Sequence, residues 1–208
     1  MKRMIQRAVC LSFVALASAG LSAQQLELVA KDPGGHGLLA KVGDKRVLVV
    51  SGTPEQMGAA HGQLLADLVP QVTPRTMALV AAGLAVQKGD WFYDRVDEIY
   101  RRTSPHTPER FIREIRAMAA AAKITERDAL CGNFFPELFH CSGVAVRGKA
   151  SADGRVVHAR VLDYMRDIHL QKCTAVQVFV PDGGIPWLSL GYAGFLGTVT
   201  ALNAKGLA

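Results

Sequence analysis

Residues 133–164, NFFPELFHCSGVAVRGKASADGRVVHARVLDY, mark the point at which the sequence changes from helical to extended character. Helical periodicity ends before Cys141. After it, Ser142–Lys149 alternates around Val144 and Val146, Ser151–Gly154 has turn composition, and Arg155–Leu162 returns as a second extended segment. This pattern predicts a β-hairpin that begins at Cys141.

Reactive side chains are expected to meet at the open end of this hairpin. A hairpin of this length brings its far end back beside its start, so Arg160 and Asp163 should lie near Cys141. A cysteine thiolate beside charged groups is a candidate nucleophile. The same residues also fit a buried thiol or disulfide half beside an ordinary ion pair, and His140 or His158 could serve Cys141 as a base in a Cys–His hydrolase.

The rest of the chain predicts an α+β fold, with a short β region, several helices and then a run of strands. Thr53-Pro54-Glu55 is typical of a helix start. The predicted helices cover Thr53 to Pro70, Thr73–Gln87, Trp91–Arg102, a segment from Thr107 and a short segment from Thr125. The other predicted strands lie in Leu26–Lys31, His36–Ser51, Cys173–Val180, Trp187–Leu190 and Thr198–Leu202.

The N-terminal residues Met1–Ala23 have the pattern of an export signal. Basic residues open the segment, an apolar stretch follows over Ala8–Leu21, and small residues precede Gln24. The apolar stretch is short for a membrane span, although a retained anchor helix is the alternative. We therefore expect a periplasmic or extracellular protein with one domain, residues 24–208, and no membrane span after signal removal.

Composition narrows the classes of function. Half of the residues are apolar and 20% are charged, which is sufficient for a packed core and excludes a wholly disordered chain. The net charge of +6 falls to +3 without Met1–Ala23, and no run of Lys or Arg resembles a nucleic-acid patch. No metal-ligand or dinucleotide motif is present, so neither a metal nor a cofactor is predicted.

Three cysteines remain after removal of the signal, namely Cys131, Cys141 and Cys173. An odd number in an oxidising compartment indicates one bridge and one free thiol, or a bond to a partner chain. If one of the three has a chemical role, the other two are the natural pair. With Cys141 as the reactive thiol, Cys131–Cys173 is the expected disulfide.

Four segments match the motifs of one protein family, namely Gly52–Gly62 (GTPEQMGAAHG), His140–Ser142 (HCS), Gly154–Tyr164 (GRVVHARVLDY) and Gly197–Leu207 (GTVTALNAKGL). Together these segments resemble the acyl-coenzyme A:6-aminopenicillanic acid acyltransferase group of N-terminal nucleophile hydrolases, which is related to penicillin V acylases and bile salt hydrolases. Their order and spacing carry the resemblance, which covers nearly all of the mature chain. One departure is Ala159, where relatives often have Gly.

The resemblance implies a four-layer αββα sandwich and a mechanism. Cleavage between His140 and Cys141 would separate 24–140 from 141–208 and place a free α-amine on the nucleophile. Such an amine has a pKa of about 7.7–8.0 and can act as a base. The resemblance assigns Asp163 to hold the α-ammonium group, and Arg160 to balance Asp163 and favour the thiolate.

The leading expectation is an exported, self-processing amide hydrolase or acyltransferase. It would act on a linear non-peptide amide or peptide-like bond of a small-molecule substrate through a thioester at Cys141. The alternatives are an unprocessed Cys–His hydrolase and a non-catalytic binding domain with Cys141 in a disulfide. Family members continue well past their N-x-K-G-L segment. The chain is therefore expected to be incomplete at its C-terminus, with oxyanion-binding residues beyond Ala208.

Overall fold

A computed structural model describes residues 25–88, 92–138, 141–162 and 169–208. The proposed signal segment 1–23 lies outside these residues, as do His140 and Asp163 of the proposed site. The described part has an α+β fold, as the sequence predicts. A six-stranded mixed sheet packs against helices, and a separate two-stranded sheet contains the hairpin.

The main sheet has the strand order β1-β2-β3-β6-β7-β8. Its only parallel pair among the described strands is β3–β6, in which Val47 lies opposite Val176; the other neighbours are antiparallel. Strands β4 and β5 pair with each other. The strands are β1 Leu26–Lys31, β2 Gly37–Val42, β3 Lys45–Gly52, β4 Ser142–Gly148, β5 Gly154–Val161, β6 Thr174–Pro181, β7 Trp187–Tyr192 and β8 Ala201–Asn203.

Helices cover one face of the main sheet and close the core. Leu48 and Val50 of β3 and Phe179 of β6 point into this core, where they meet Met57 and Met118 of two helices. Within the described residues, no helix is both long and apolar enough to cross a membrane. The helices are α1 Pro54–Leu64, α2 Val69–Lys88, α3 Phe92–Thr103, α4 Glu109–Ala122 and α5 Glu126–Phe134.

The helix boundaries differ from the sequence expectation at one proline. Helix α2 begins at Val69, so Pro70 is its second residue and does not separate two helices. Proline is tolerated in the first turn because the N–H groups there have no partner within the helix. The start of α1 is as expected: Thr53 is the N-cap, and Gln56 completes a reciprocal capping box.

Helices α1 and α4 approach closely at two glycines of α1. A Cβ atom on Gly58 would lie 2.1 Å from the carbonyl oxygen of Glu114, and one on Gly62 would lie 2.3 Å from that of Met118. Neither distance leaves room for a side chain. The GAAHG sequence of α1 therefore has a packing role: its glycines let two helix backbones touch.

Candidate active site

The hairpin predicted from Cys141 is present and brings two of the proposed site residues together. Strands β4 and β5 are antiparallel, with Gly143 opposite Arg160. Cys141 directly precedes β4 and is exposed. The Arg160 Nη2 group donates a hydrogen bond to Cys141 Sγ over 2.9 Å. The sequence-predicted meeting of Cys141 and Arg160 is thus present in the structure.

Arg160 has a second partner that sequence reasoning missed. Its Nη1 group donates to Thr200 Oγ1 over 2.8 Å. Thr200 precedes β8, so the guanidinium joins the hairpin to the main sheet. This contact spans 40 residues of sequence. The sequence indicates the region through the predicted strand Thr198–Leu202 and the family-like segment Gly197–Leu207, but not the contact itself.

Tyr192, at the end of β7, is close enough to Cys141 and Arg160 for both residues to affect the pKa of its hydroxyl. Burial raises the pKa of the Tyr192 hydroxyl; the positive charge of Arg160 lowers it and the charge of Cys141 raises it. A raised pKa keeps the hydroxyl protonated at neutral pH. Tyr192 also lines one cleft of about 440 Å³ together with Thr200, the residue that accepts a hydrogen bond from Arg160.

Two polar side chains of the helical layer hold the segment between β7 and β8. The backbone N–H of Gly194 donates to His61 Nε2 over 2.9 Å, and Asn133 Nδ2 donates to the Gly194 carbonyl over 2.9 Å. The Leu196 N–H donates to Asn133 Oδ1 over 2.8 Å. Because this segment leads to Thr200, the two side chains help to position the residue that contacts Arg160.

His61 acts here as a neutral acceptor. It is completely buried, and this burial lowers its pKa to about 4, so the ring is uncharged at neutral pH. A hydrogen bond accepted at Nε2 requires the proton to reside on Nδ1. The motif glycines and His61 of α1 therefore have distinct roles: the glycines pack on α4, and the histidine binds the β7–β8 segment.

The three cysteines of the described part are free thiols. Cys131 and Cys173, the pair expected as a disulfide, are buried in separate apolar clusters and are not joined. Burial raises the pKa of Cys131 to about 11 and also raises that of Cys173. Of these three described thiols, only Cys141 combines exposure with a charged hydrogen-bond partner.

The alternative in which a histidine serves Cys141 as a base has less geometric support than the contact of Cys141 with Arg160. His158 lies opposite Ala145 in the hairpin register, on the same face as Arg160. In the described part of the chain, however, the side chain hydrogen-bonded to Cys141 is Arg160. His140 and Asp163 lie outside the described residues, so their positions relative to Cys141 remain as predicted from sequence.

Sequence comparison with known proteins finds distant relatives of this chain. No family model matches the chain. Protein dcd1B of Dictyostelium discoideum is 25% identical over 82% of this chain and 39% of its own length, and dcd1A of the same organism is 26% identical over 81% and 45%. The N-acylethanolamine-hydrolyzing acid amidase of Rattus norvegicus is 25% identical over 71% of this chain and 35% of its own.

The chain thus spans less than half the length of the curated relatives it matches. The aligned shares of this chain are large, although the identity is low. The chain is a distant homologue of dcd1A, dcd1B and the N-acylethanolamine-hydrolyzing acid amidase.

Proposed function

We propose that this chain carries the nucleophile of an amide hydrolase and that Cys141 is that nucleophile. The observation that carries the proposal is the 2.9 Å contact between Arg160 Nη2 and Cys141 Sγ at an exposed hairpin end. The distant homology to an acid amidase supports the reaction class. The thiols of Cys131 and Cys173, in contrast, are buried.

The proposed reaction has two steps. The sulfur of Cys141 attacks the amide carbonyl carbon, a C–S bond forms, and the C–N bond breaks as the amine leaves with a proton. Water then attacks the thioester, which releases the carboxylic acid and returns the proton to the thiol. An amine that attacks in place of water gives acyl transfer.

Arg160 has a positioning and electrostatic role in this scheme. Its planar guanidinium contacts Cys141 through one nitrogen and Thr200 through another, so the charge is fixed beside the sulfur. Lysine has one rotatable ammonium and cannot reproduce both contacts in this geometry. The second contact accounts for the defined orientation of Arg160.

The proposal includes processing and export, both of which rest on the sequence resemblance. Cleavage between His140 and Cys141 would give Cys141 an α-amine that accepts the thiol proton, with Asp163 orienting the resulting ammonium. Removal of Met1–Ala23 would accompany export. The fold proposed for the complete protein is the four-layer αββα sandwich.

The test combines mass spectrometry, N-terminal sequencing and hydrolysis of a panel of N-acyl amides. The complete wild-type protein should give N-termini near Gln24 and at Cys141, with amide hydrolysis. Cys141→Ala should remain uncut and inactive. Arg160→Lys should lower kcat/KM by at least about tenfold, because a charge-assisted hydrogen bond is lost. Arg155→Lys is the matched control, since Arg155 lies exposed on the same strand beside Asp153.

The outcomes separate the alternatives. Hydrolysis by Cys141→Ala protein would exclude the nucleophile role. An uncut wild-type protein that depends on both Cys141 and His158 would favour the unprocessed Cys–His hydrolase. A Cys141 found in a disulfide in active protein would rule out the thioester route.

A further inference from the structure

We propose that Thr200 is a positioning residue of the proposed catalytic centre. Its hydroxyl group fixes the orientation in which Arg160 contacts Cys141, and this orientation raises the reactivity of the Cys141 thiol. The inference rests on the proposed function and adds a residue to the same site. It follows from the two contacts of Arg160 and from the hydrogen bond that holds Thr200 in place.

The hairpin alone gives the Arg160 side chain little support. The residue directly opposite it on β4 is Gly143, which has no side chain to pack against the arginine. The hydrogen bond from Arg160 Nη2 to Cys141 Sγ is exposed, so water competes for both groups. With this contact alone, a long and flexible side chain would also populate other rotamers.

The contact with Thr200 supplies a second constraint on Arg160. Its Nη1 group donates to Thr200 Oγ1 over 2.8 Å, and this hydrogen bond is partly buried. A guanidinium group is planar and rigid, so a fixed Nη1 leaves Nη2 only a restricted range of positions. In the structure, that range includes the hydrogen bond to Cys141 Sγ.

Thr200 is itself held by the main sheet. The backbone N–H of Leu190 in β7 donates to the Thr200 carbonyl over 2.9 Å, and the next residue, Ala201, lies opposite Ser189 in the β7–β8 register. The threonine side chain also has a restricted χ1 angle, because it branches at Cβ. Its hydroxyl group is therefore a fixed point to which the flexible arginine is attached.

The experiment compares Thr200→Val and Thr200→Ser with the wild-type protein. Valine has the shape of threonine without the hydroxyl group, whereas serine retains the hydroxyl group. The measured quantity is the rate constant for alkylation of Cys141 by iodoacetamide in the folded protein as a function of pH, because thiolate is the reactive form.

Thr200→Val should move this pH profile to higher pH and lower the rate constant at neutral pH by at least about threefold, because the guanidinium charge lies beside the sulfur less often. Thr200→Ser should give a profile close to that of the wild type. Arg160 and Cys141 are unchanged in both variants, so the comparison separates the orientation of the charge from its presence.

Two controls separate positioning from damage to the fold. Thr198→Val is the matched control, because Thr198 is exposed two residues before Thr200 and loses the same group; it should keep the wild-type profile. The buried thiols of Cys131 and Cys173 report on the fold. Their reaction in folded Thr200→Val protein would show that the substitution loosens the structure, and would overturn the positioning role.

Hydrolysis by the complete protein gives a second measurement. An effect on the orientation of Arg160 should lower kcat for Thr200→Val by at least about threefold and leave KM within about twofold. A raised KM at unchanged kcat would instead mean that Thr200 contacts the substrate, and would contradict the inference.

The failure of the inference differs from the failure of the proposed function. If Thr200→Val keeps the wild-type alkylation profile, or if Thr200→Ser reacts as slowly as Thr200→Val, the positioning role is overturned and Cys141 remains the proposed nucleophile. If Cys141→Ala protein hydrolyses amides, the proposed function fails. The alkylation experiment does not require turnover, so it still decides whether Thr200 orients Arg160.

Discussion

At the scale of single residues, the three described thiols differ in surroundings rather than in chemistry. Cys131 and Cys173 are packed among apolar side chains, whereas Cys141 is exposed at the start of β4. Burial raises the pKa of both packed thiols, that of Cys131 to about 11. Thiolate is the form that reacts with alkylating reagents. Burial therefore lowers the reactivity of Cys131 and Cys173 in two ways, because it blocks access of the reagent and disfavours the thiolate.

We therefore expect iodoacetamide at neutral pH to modify Cys141 in the folded protein while Cys131 and Cys173 react only after unfolding. Peptide mass mapping of native and denatured samples measures this. Omission of reductant before denaturation should not change the number of cysteines that iodoacetamide modifies, because the three described cysteines are free thiols. A Cys131–Cys173 peptide pair in the unreduced sample would instead establish the disulfide expected from sequence.

Glu114 of α4 is a second residue with unusual surroundings. Its side chain is 3% exposed, and its Oε1 atom has no hydrogen-bond partner. Burial raises its pKa to about 8, and the positive charge of Arg110 opposes this shift only in part. A carboxyl group in such a site is protonated at neutral pH.

The raised pKa predicts a pH dependence of stability. Between pH 4.5 and about 8 the unfolded chain releases the Glu114 proton and the folded chain retains it, so the wild-type free energy of unfolding falls as pH rises. Relative to Glu114→Gln, the fall should reach at most about 1.4 kcal/mol per pH unit. Urea denaturation of both proteins across this range measures it.

Glu27→Gln, which removes an exposed carboxyl group on β1, serves as the control and should keep the wild-type slope. If Glu114→Gln also keeps that slope, the carboxyl group of Glu114 is ionised in the folded protein. Its burial would then require a partner that the described residues do not supply.

The residues of the site show how far sequence reasoning extends. The contact between Cys141 and Arg160 was predictable because a short hairpin fixes it, and hairpin geometry is local. Thr200 was not predictable as the partner of Arg160, because its position depends on how β8 joins the main sheet. The interaction of His61 with Gly194 spans 133 residues and likewise could not be predicted from the sequence.

At the scale of elements, the periodicity of the sequence located the strands and helices but not their contacts. The hairpin β4–β5 and the capped start of α1 follow from local signals. Helix α2 begins at Val69 and not at Thr73, where the sequence predicts its start. Pro70 indicated a break, but a proline is tolerated in the first turn of a helix. The close approach of α1 and α4 depends on Gly58 and Gly62, whose spacing alone does not identify the partner helix.

The packing of α1 on α4 predicts opposite effects for two Gly→Ala substitutions. Gly58→Ala should destabilise the protein by about 1–3 kcal/mol, because the new Cβ would lie 2.1 Å from the Glu114 carbonyl oxygen. Gly83→Ala in α2 is the matched control. Nothing lies within 4 Å of its added Cβ, so the helix propensity of alanine should stabilise the protein by up to about 1 kcal/mol.

Thermal and urea unfolding of the two variants measure these effects. Equal stability of Gly58→Ala and wild type would mean that α1 and α4 can separate without loss. A destabilised Gly83→Ala would indicate that this face of α2 packs against another part of the protein.

At the scale of the whole molecule, the main sheet contains strands from both sides of the proposed cleavage point. Strands β1–β3 precede residue 140, and β6–β8 follow residue 141. The parallel pair β3–β6 lies in the middle of the sheet and joins the two parts. The largest apolar cluster is also shared, since Leu48 and Met57 precede the junction and Phe179 follows it.

This arrangement predicts that cleavage between His140 and Cys141 does not separate the two pieces. The β3–β6 hydrogen bonds and the shared core persist after the chain is cut, because the peptide bond contributes to neither. Cut wild-type protein should therefore elute from a native sizing column at the volume of uncut Cys141→Ala protein, and should resolve into two polypeptides only in denaturant. Separation of the pieces under native conditions would mean that the sheet is not formed across the junction, and would contradict the strand order described above.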